Sequence, residues 1–378
     1  MNKRPSALTI RKARTSDIDA LIAIEDQVFP TDRISRRSLK RLISRKTASF
    51  LVAEDQGERL GYALVLYRTG TALARLYSIA VADHGQGKGI GHRLLEAAEA
   101  YAFDHGCIFL RLEVRADNAP AVALYQHGGY RQFGIYADYY ADHASALRFE
   151  KRLAGTTPPR GKQPPYYRQS TDFTCGPACM IMAMRWFKKR PPQGSKYDRR
   201  FELKLWREAT TIFMTSGVGG CEPFGMSVAL LKYGVQADIW SSRKGLFFLE
   251  GLRNKERRDV MNVVQEDFRA QAMDGGIPLH PKGLDRKTLH LLLEQGGLAI
   301  VLINGYEMFR DDEPHWVLVH ASDDHHVYIH DPWVEDEDLE TADAASGLPI
   351  PWAAFQRMIR VGRDRRMAAI ALKGGNSR

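Results

Sequence analysis

Hydrophobic and polar residues follow two different periods along the first part of the chain, and the two periods alternate. Apolar residues at every second position predict half-buried strands, while apolar residues at positions i, i+3 and i+4 predict amphipathic helices. The predicted strands are LTIRKA, SFLVAED, LGYALVLYR, ARLYSIAVA, IFLRLEV and ALRFEKRL. The predicted helices are TSDIDALIAIEDQVF, GHRLLEAAEAYAFDHG and NAPAVALYQHGG. This alternation predicts an α/β domain.

The pattern stops at residues 153–165, where the sequence LAGTTPPRGKQPP has no apolar period. Proline, glycine and charged residues at this density are typical of a semi-extended linker. Beyond it, several helical patterns precede two or three strands near the end of the chain. A length of 378 residues also exceeds one typical core. The sequence therefore predicts two domains, residues 1–152 and 166–378, of overall α/β (α+β) class.

The composition is that of a globular protein, with 44% hydrophobic and 26% charged residues. The chain contains no run of about 18 apolar residues, as a membrane span requires, and no apolar segment follows its basic start. The cysteines are too few for a disulfide scaffold of this length; they are Cys107, Cys175, Cys179 and Cys221. We therefore expect a cytoplasmic protein with free thiols and no membrane partner.

The net charge of +9 favours acidic partners. The basic run RISRRSLKRLISRK has the spacing of a helix face, which is typical of a solvated surface. The sequence has no basic motif interleaved with aromatic residues and no zinc knuckle. The charge therefore leaves a ribosomal or other acidic partner open, and nucleic acid is the less favoured expectation.

A glycine-rich turn, QGKGIG, lies between a predicted strand and a predicted helix. Glycine allows a tight turn and lets a ligand approach the backbone closely. The helix that follows offers unpaired N–H groups and the positive end of its dipole to an anion such as phosphate. The candidate phosphate-binding residues are Gln86, Gly87, Lys88, Gly89, Ile90 and Gly91.

This turn resembles the acetyl-CoA loop of the GNAT acetyltransferases, Gln/Arg-x-x-Gly-x-Gly/Ala, and matches it at Gln86, Gly89 and Gly91. LEVRADNAPAVALYQHGGY is similar to the next motif of that family. The resemblance covers residues 7–152 and extends to the branch that acetylates the N-terminal alanine of ribosomal proteins. It implies acetyl-CoA as cofactor and a mixed sheet with flanking helices. It also implies contacts of the pantetheine arm with the backbone of Ile79 and Val81.

Acetyl transfer to an amine needs a base for the ammonium and an acid for the leaving thiolate. The resemblance implies Glu113 as the base, Tyr125 as the acid and Asn118 as a cofactor contact. Two alternatives stay open: Tyr125 is a core residue, and Glu113 is a surface carboxylate paired with Arg111 or Arg115.

The acceptor side is marked by the segment YADYYADH. Its Tyr139 and Tyr140 resemble the substrate-side tyrosines of the N-terminal acetyltransferases. A peptide α-amine is therefore the favoured acceptor.

In the second half, QSTDFTCGPACMIMAM places Cys175 where a helix begins. Pro177 is tolerated in a first helical turn, and the apolar residues after it recur at helical spacing. A helix N-terminus favours the thiolate, which is the nucleophilic form of cysteine. Cys179 is interpreted as a small core residue, and simple burial is the alternative interpretation of Cys175.

The segment HWVLVHASDDHHVYIHDPW predicts two strands joined by the polar turn ASDD. His315 and His320 are five residues apart and point to opposite faces of one strand, so only one of them can face Cys175. Asp331, which ends the second strand, is placed to hold an imidazole in the required tautomer.

The order Gln169, Cys175, His315 and Asp331 resembles the papain-like arrangement of the bacteriocin-processing cysteine peptidases, which cut after double-glycine leaders. QSTDFTCGPA, HWVLV and IHDPW match the three catalytic patches of that family. The resemblance implies a papain-like fold, in which Cys175 is the nucleophile, His315 the base, Asp331 the orienting group and Gln169 the oxyanion donor. Extra sequence precedes His315, and no exporter segment is present, which argues against leader processing during export.

Two further groups of residues are given a structural interpretation. Cys221, in the loop GVGGCEPFG, is interpreted as a buried or loop thiol rather than a cleft residue. The cluster of His320, His325, His326 and His330 with Asp323 and Asp324 is interpreted as a polar turn, because no cysteine completes a zinc pattern. We therefore expect no metal.

The sequence thus predicts an acetyl-CoA-dependent N-acetyltransferase joined to a papain-like thiol peptidase or amidohydrolase. Three alternatives stay open for the second half and the whole. The second domain is an inactive peptide-binding module, or it is a thiol acyltransferase, since both reactions share a thioester. Otherwise the chain is a basic adaptor for RNA or ribosomal surfaces.

Overall fold

The computed structural model describes residues 8–30, 32–140, 142–153, 163–214, 217–242, 245–249, 252–309, 313–334, 345–362 and 364–374. The chain divides into two compact units, Met1–Thr156 and Thr157–Arg378. Residues 154–162 of the predicted linker lie outside the described residues. The two ends of that linker already belong to the units. Leu153 N donates to Ile108 O at 2.8 Å, and the His330 ring bonds to Pro164 O at 2.8 Å.

Unit 1 is built on a seven-stranded mixed sheet with the order β1-β2-β3-β4-β5-β7-β6. Its strands are β1 (Thr9–Lys12), β2 (Ala48–Asp55), β3 (Glu58–Tyr67), β4 (Leu73–Val81), β5 (Phe109–Arg115), β6 (Arg131–Tyr136) and β7 (Ala146–Arg152). Its helices are α1 (Ile18–Val28), α2 (Arg36–Ser44), α3 (Ile90–Asp104) and α4 (Ala119–His127), with 3-10 turns at Thr15–Asp17 and Asp83–Gly85.

Helices cover both faces of this sheet, and β2 shows why. Phe50 and Val52 pack with buried residues of α1 and α2, whereas Leu51 and Ala53 pack with buried residues of α3. Successive side chains of a strand point to opposite faces. A strand that is buried on both faces therefore reads as a continuous apolar run.

The centre of the sheet opens between β4 and β5. Within the described residues, these two strands pair in parallel only through Leu73, Ala74 and Arg75. β4 continues to Val81 along β3, with a bulge opposite Leu64 and Val65. The side of β4 that faces β5 is consequently unpaired over residues 76–81, which include both predicted pantetheine contacts.

Unit 2 contains a second seven-stranded sheet, with the order β11-β10-β16-β12-β13-β14-β15, and a separate β8-β9 hairpin. Its strands are β8 (Phe213–Met214), β9 (Gly217–Val218), β10 (Val235–Ser241), β11 (Leu279–His280), β12 (Leu298–Asn304), β13 (Pro314–Ser322), β14 (His326–His330), β15 (Leu348–Pro351) and β16 (Ala368–Gly374). Its helices are α5 (Cys175–Trp186), α6 (Arg199–Ala209), α7 (Pro223–Lys232), α8 (Lys255–Asp274), α9 (Arg286–Glu294), α10 (Tyr306–Phe309) and α11 (Trp352–Met358).

The expectation of two or three strands in this half is wrong, because the sheet has seven. In β12, the sequence LAIVLIN is buried from its first to its sixth residue and has no polar alternation. Short apolar runs of this kind do not distinguish a strand from a helix. The strand β6 of unit 1 was also absent from the predicted set.

The predicted hairpin of unit 2 is present as β13 and β14, which pair in antiparallel register with an irregularity between Val319 and Ala321. Helix α5 packs on this sheet in a cluster that contains Cys179, Trp316 and Leu318. The N-terminus of α5 is thereby brought to the beginning of β13. No helix in the described part of the chain is long and apolar enough to span a membrane.

Candidate active sites

The glycine-rich turn of unit 1 connects β4 to α3. Gly87 and Gly89 have φ values of +70° and +72°, a conformation that glycine adopts without steric cost. Gly89 is the N-cap of α3, so the unpaired N–H groups of the first helical turn are available beside it. Gln86 is held by a hydrogen bond from Nε2 to Asp83 Oδ1 at 3.1 Å. This cradle, next to the unpaired side of β4, fits the phosphates and the pantetheine arm of acetyl-CoA.

Glu113 of β5 forms a buried ion pair with Arg75 of β4. Arg75 Nη2 and Nε lie 2.7 Å and 2.8 Å from Glu113 Oε2. The two side chains are only 10% and 5% exposed. Arg75 Nη2 also donates to the Tyr139 hydroxyl at 3.0 Å. The guanidinium therefore joins the candidate base to a candidate substrate-side tyrosine.

Arg111 and Arg115, the partners considered for Glu113 on its own strand, bind other carboxylates. Arg111 pairs with Glu150 at 2.7 Å, and Arg115 pairs with Asp117 at 3.0 Å and with Asp142 at 2.9 Å. The alternative of a surface carboxylate paired on its own strand is therefore not what the structure shows, because Glu113 is buried against Arg75 of the neighbouring strand.

Tyr125 lies on α4 and is buried. Burial, followed by repulsion from Tyr140 and Glu113, raises the pKa of Tyr125 above its ordinary value. The hydroxyl therefore carries its proton at neutral pH, but it is a weaker acid than an exposed tyrosine. Asn118 is the N-cap of the same helix and accepts from Ala121 N at 3.1 Å. The structure thus gives Asn118 a capping role beside its predicted cofactor contact.

In unit 2, Cys175 is the first residue of α5 and is 7% exposed. Its sulfur lies at the positive end of the helix dipole, where an anion is favoured. The N–H groups of this first turn have no acceptor within the helix. They are therefore available to the oxyanion that forms on a carbonyl oxygen when the sulfur attacks the carbonyl carbon.

His315 lies at the beginning of β13 and bonds to two predicted partners. Its Nε2 is 2.7 Å from Asp331 Oδ1, and its ring is hydrogen bonded to Cys175. Burial lowers the pKa of His315, but Asp331 and Cys175 outweigh burial and raise this pKa to about 10. The imidazole is therefore protonated at neutral pH and holds a proton that it can give to a leaving group.

Asp331 is fully buried directly after β14. Its Oδ1 also accepts from Trp333 N at 2.9 Å, and its backbone N donates to Ala345 O at 2.9 Å. The position of the carboxylate is therefore fixed by contacts that do not involve the imidazole.

Gln169 links the two halves of this arrangement. Its backbone N donates to Pro332 O at 3.0 Å, beside Asp331, and its Nε2 donates to Thr171 O at 2.8 Å. One N–H of the side-chain amide is thus used, and the second is left for an oxyanion. The structure brings Gln169, Cys175, His315 and Asp331 together from segments about 140 residues apart.

The structure buries the other thiols. Cys179 Sγ bonds to Trp316 O at 3.5 Å, and Trp316 Nε1 donates to Cys221 O at 2.9 Å. Burial raises the pKa of both Cys179 and Cys221 well above the ordinary value. Both are protonated core thiols at neutral pH, as expected from the sequence.

The histidine-rich segment holds the β13–β14 turn. Asp323 Oδ1 accepts from the backbone N of His325 and of His326, each at 2.7 Å, and Asp323 Oδ2 accepts from the Tyr328 hydroxyl at 2.8 Å. His330 is buried and accepts from Gly347 N at 2.9 Å. Across the described ranges, His, Cys, Asp and Glu form no group of three or more that could hold a metal ion.

The model of the Peptidase C39-like family matches residues 164–373, which is more than half of the chain. The chain belongs to this family. The C39-like match ends within β16 and contains the four candidate catalytic residues of unit 2.

The first unit is a GNAT domain, because the model of the acetyltransferase (GNAT) family matches residues 18–130. An uncharacterized N-acetyltransferase of Methanocaldococcus jannaschii is 34% identical over 146 residues, which are 38% of this chain and 92% of that protein. An N-alpha-acetyltransferase of Sulfurisphaera tokodaii is 30% identical over 155 residues, which are 38% of this chain and 92% of that protein. The solved ribosomal-protein-S18-alanine N-acetyltransferase of Escherichia coli is 25% identical, with a TM-score of 0.37, and covers 41% of this chain and 99% of its own.

The predicted fusion of a GNAT domain with a C39-like domain is therefore confirmed, and so is the α/β two-domain class. The GNAT domain also contains Arg75, which was not among the candidate residues predicted from the sequence. A charged residue within the apolar strand ARLYSIAVA was a signal for it, since arginine is buried only when it is paired.

Proposed function

We propose that this N-acetyltransferase uses acetyl-CoA to acetylate the α-amine of a peptide or protein, and that its C39-like domain is a thiol hydrolase of a peptide-like substrate. The observation that carries the second part is the bonding of His315 to both Asp331 and Cys175. The α-amine is supported by the N-alpha-acetyltransferase relative and by Tyr139 next to the Arg75–Glu113 pair.

In the C39-like domain, the thiolate of Cys175 attacks the substrate carbonyl and forms a tetrahedral oxyanion. The Cys175 backbone N–H and the second N–H of Gln169 Nε2 stabilise this oxyanion. His315 gives its proton to the departing amine, which leaves a thioester on Cys175. His315 then takes a proton from water, the hydroxide displaces the thiolate, and the imidazolium–thiolate pair returns. Asp331 holds the ring in register throughout.

In the GNAT domain, acetyl-CoA supplies an acetyl thioester. Glu113 takes the proton of the acceptor ammonium, while Arg75 holds the carboxylate towards Tyr139. The freed amine then bonds to the acetyl carbon, and the C–S bond breaks with its electron pair on sulfur. Tyr125 donates its Oη proton to that sulfur, and the second proton of the nitrogen passes to the Tyr125 oxygen. The cradle at Gly87 and Gly89 and the unpaired side of β4 orient the donor.

The hydrolase is tested by native alkylation with iodoacetamide, followed by peptide mapping. Cys175 is expected to alkylate at neutral pH much faster than the internal controls Cys179 and Cys221. His315→Ala is expected to slow Cys175, whereas His325→Ala, at an exposed turn position, leaves it unchanged. Equal rates for the three cysteines contradict the hydrolase and favour a peptide-binding module. A thioester that amines trap but water does not hydrolyse indicates an acyltransferase.

The acetyltransferase is tested by the release of free thiol from acetyl-CoA in the presence of peptides. A peptide with a free N-terminus is the expected acceptor, and the same peptide with a blocked N-terminus and a free lysine is the control. Tyr125→Phe is expected to lower turnover by about 10²–10⁴-fold. Turnover with the blocked peptide alone contradicts the α-amine assignment.

A further inference from the structure

Glu202 is a fully buried carboxylate in the first turn of α6 that the chemistry above does not use. Its Oε1 accepts from Ser170 N at 2.8 Å, and its Oε2 accepts from the Tyr167 hydroxyl at 3.0 Å. Both oxygens are therefore occupied by the short segment that precedes Cys175.

These two donors flank Gln169 on either side. The backbone of Gln169 itself is held from the opposite direction by its bond to Pro332 O at 3.0 Å. The segment is thus fixed between α6 and the residues that follow β14. Gln169 has little freedom left, and its side chain is directed to Thr171 O.

Burying a carboxylate costs free energy unless hydrogen bonds compensate the lost hydration. An apolar side chain would fill the same space at a lower cost. Two features make it tolerable here. The first turn of a helix favours a negative charge. Burial, followed by Glu202, also raises the pKa of Tyr167, so that its hydroxyl remains a donor. A charge-assisted tie is stronger than a neutral one.

We propose that Glu202 is a positioning residue that sets the orientation of Gln169 as the oxyanion donor; this inference rests on the proposed hydrolase function of Cys175. An oxyanion donor acts only when it is held close to the position that the oxyanion takes. Loss of the Glu202 hydrogen bonds is therefore expected to slow reactions that pass through an oxyanion and to leave the rate of other reactions unchanged.

Two small reagents separate these cases at Cys175. With p-nitrophenyl acetate, the sulfur bonds to the acetyl carbon through an oxyanion, and p-nitrophenolate leaves with the electron pair of the broken C–O bond. With iodoacetamide, the sulfur bonds to carbon, iodide leaves, and no oxyanion forms. The ratio of the acylation rate to the alkylation rate therefore reports the oxyanion donor, while the alkylation rate reports the thiolate and the fold.

In the full chain, Gln169→Ala is expected to lower this ratio by about 10²–10³-fold. Glu202→Leu, which removes both acceptors and keeps the bulk, is expected to lower it by at least about 10-fold without changing alkylation. Glu202→Gln is expected to restore part of the loss. Glu208→Leu is the matched control, because Glu208 lies on the same helix and its carboxylate accepts from the Tyr233 hydroxyl at 3.2 Å and 3.3 Å.

The double variant Gln169→Ala/Glu202→Leu is expected to match Gln169→Ala alone, because a positioning residue has no effect once the group it positions is gone. The inference is overturned if Glu202→Leu lowers both rates equally, changes neither, or multiplies with Gln169→Ala. If Glu202→Leu does not fold, the ratio in Glu202→Gln decides, and an unchanged ratio there overturns the inference. A wild-type Cys175 that reacts no faster than Cys179 instead overturns the hydrolase itself.

Discussion

His315 Nε2 lies 2.7 Å from Asp331 Oδ1, although the two residues come from different strands of unit 2. The bond occupies one ring nitrogen and leaves the other, Nδ1, for Cys175. Asp331 therefore fixes the orientation of the ring from the side opposite Cys175. A substitution at Asp331 can therefore test the orientation of the imidazole without altering Cys175 or His315.

Asp331→Asn is expected to keep the fold and to lower acylation of Cys175 by about 10²–10⁴-fold, because an amide favours the wrong imidazole tautomer. The measurement is the burst of p-nitrophenolate from p-nitrophenyl acetate. Asp324→Asn, at an exposed position of the neighbouring turn, serves as the control. Equal activity of the two variants would exclude an orienting role for Asp331.

The stability of the C39-like domain is expected to depend on pH through His315. Its pKa is raised in the folded state to about 10 from an ordinary 6.5, so folding binds a proton. This contribution is complete below about pH 6.5 and is lost as the pH rises through about 10. The measurement is urea unfolding of Cys175→Ala against Cys175→Ala/His315→Asn, which removes the thiol titration from both. The difference between them should shrink from pH 7 to pH 10; growth over this range contradicts the assignment.

Gly89→Ala is expected to weaken acetyl-CoA binding. At φ +72° a side chain costs about 1–2 kcal/mol. The free turn of the variant is expected to relax away from this conformation, and restoring it on binding corresponds to a roughly 5–30-fold higher Kd. Gly106→Ala is the matched control, because Gly106 has a φ of +79° and open space for a Cβ but lies beyond the opposite end of α3. Calorimetric titration with acetyl-CoA measures both. A larger loss for Gly106→Ala than for Gly89→Ala would place the phosphates elsewhere.

Arg75→Ala is expected to destabilise the GNAT domain by about 3–5 kcal/mol, because it leaves the Glu113 carboxylate buried without its partner. Arg115→Ala, which removes a pair at the surface, should change the melting temperature far less. Arg75→Met/Glu113→Gln is expected to recover stability and not acetyl transfer. Full recovery of acetyl transfer in this double variant would show that Glu113 is not the base.

Part of each site could be predicted from local sequence. Cys175 was predicted to begin a helix because helical spacing starts at that residue. The β13–β14 hairpin was predicted because a polar turn separates two apolar runs. The glycines of the acetyl-CoA turn are equally local, since a left-handed φ restricts the residue type at its own position. Signals of this kind depend on a few consecutive residues, so a single sequence is enough to predict them.

The partners across the fold were not predictable in the same way. Nothing near Glu113 in the chain indicates Arg75, and nothing near Gln169 indicates Glu202. Likewise, the strands buried on both faces, such as β12, lose the alternation that would identify them.

By itself, then, the sequence predicted the two domains and the elements on which the candidate residues lie. It placed Cys175 at the start of a helix, His315 on a strand and Asp331 at the end of the next strand. Only the tertiary structure decided that the β4 edge is open, that Arg75 pairs with Glu113 and that Glu202 holds the loop of Gln169. The physical reason is that periodicity reports how one element meets solvent or core. Which charges meet inside the core depends instead on how distant elements pack, and a single sequence does not encode that in any local pattern.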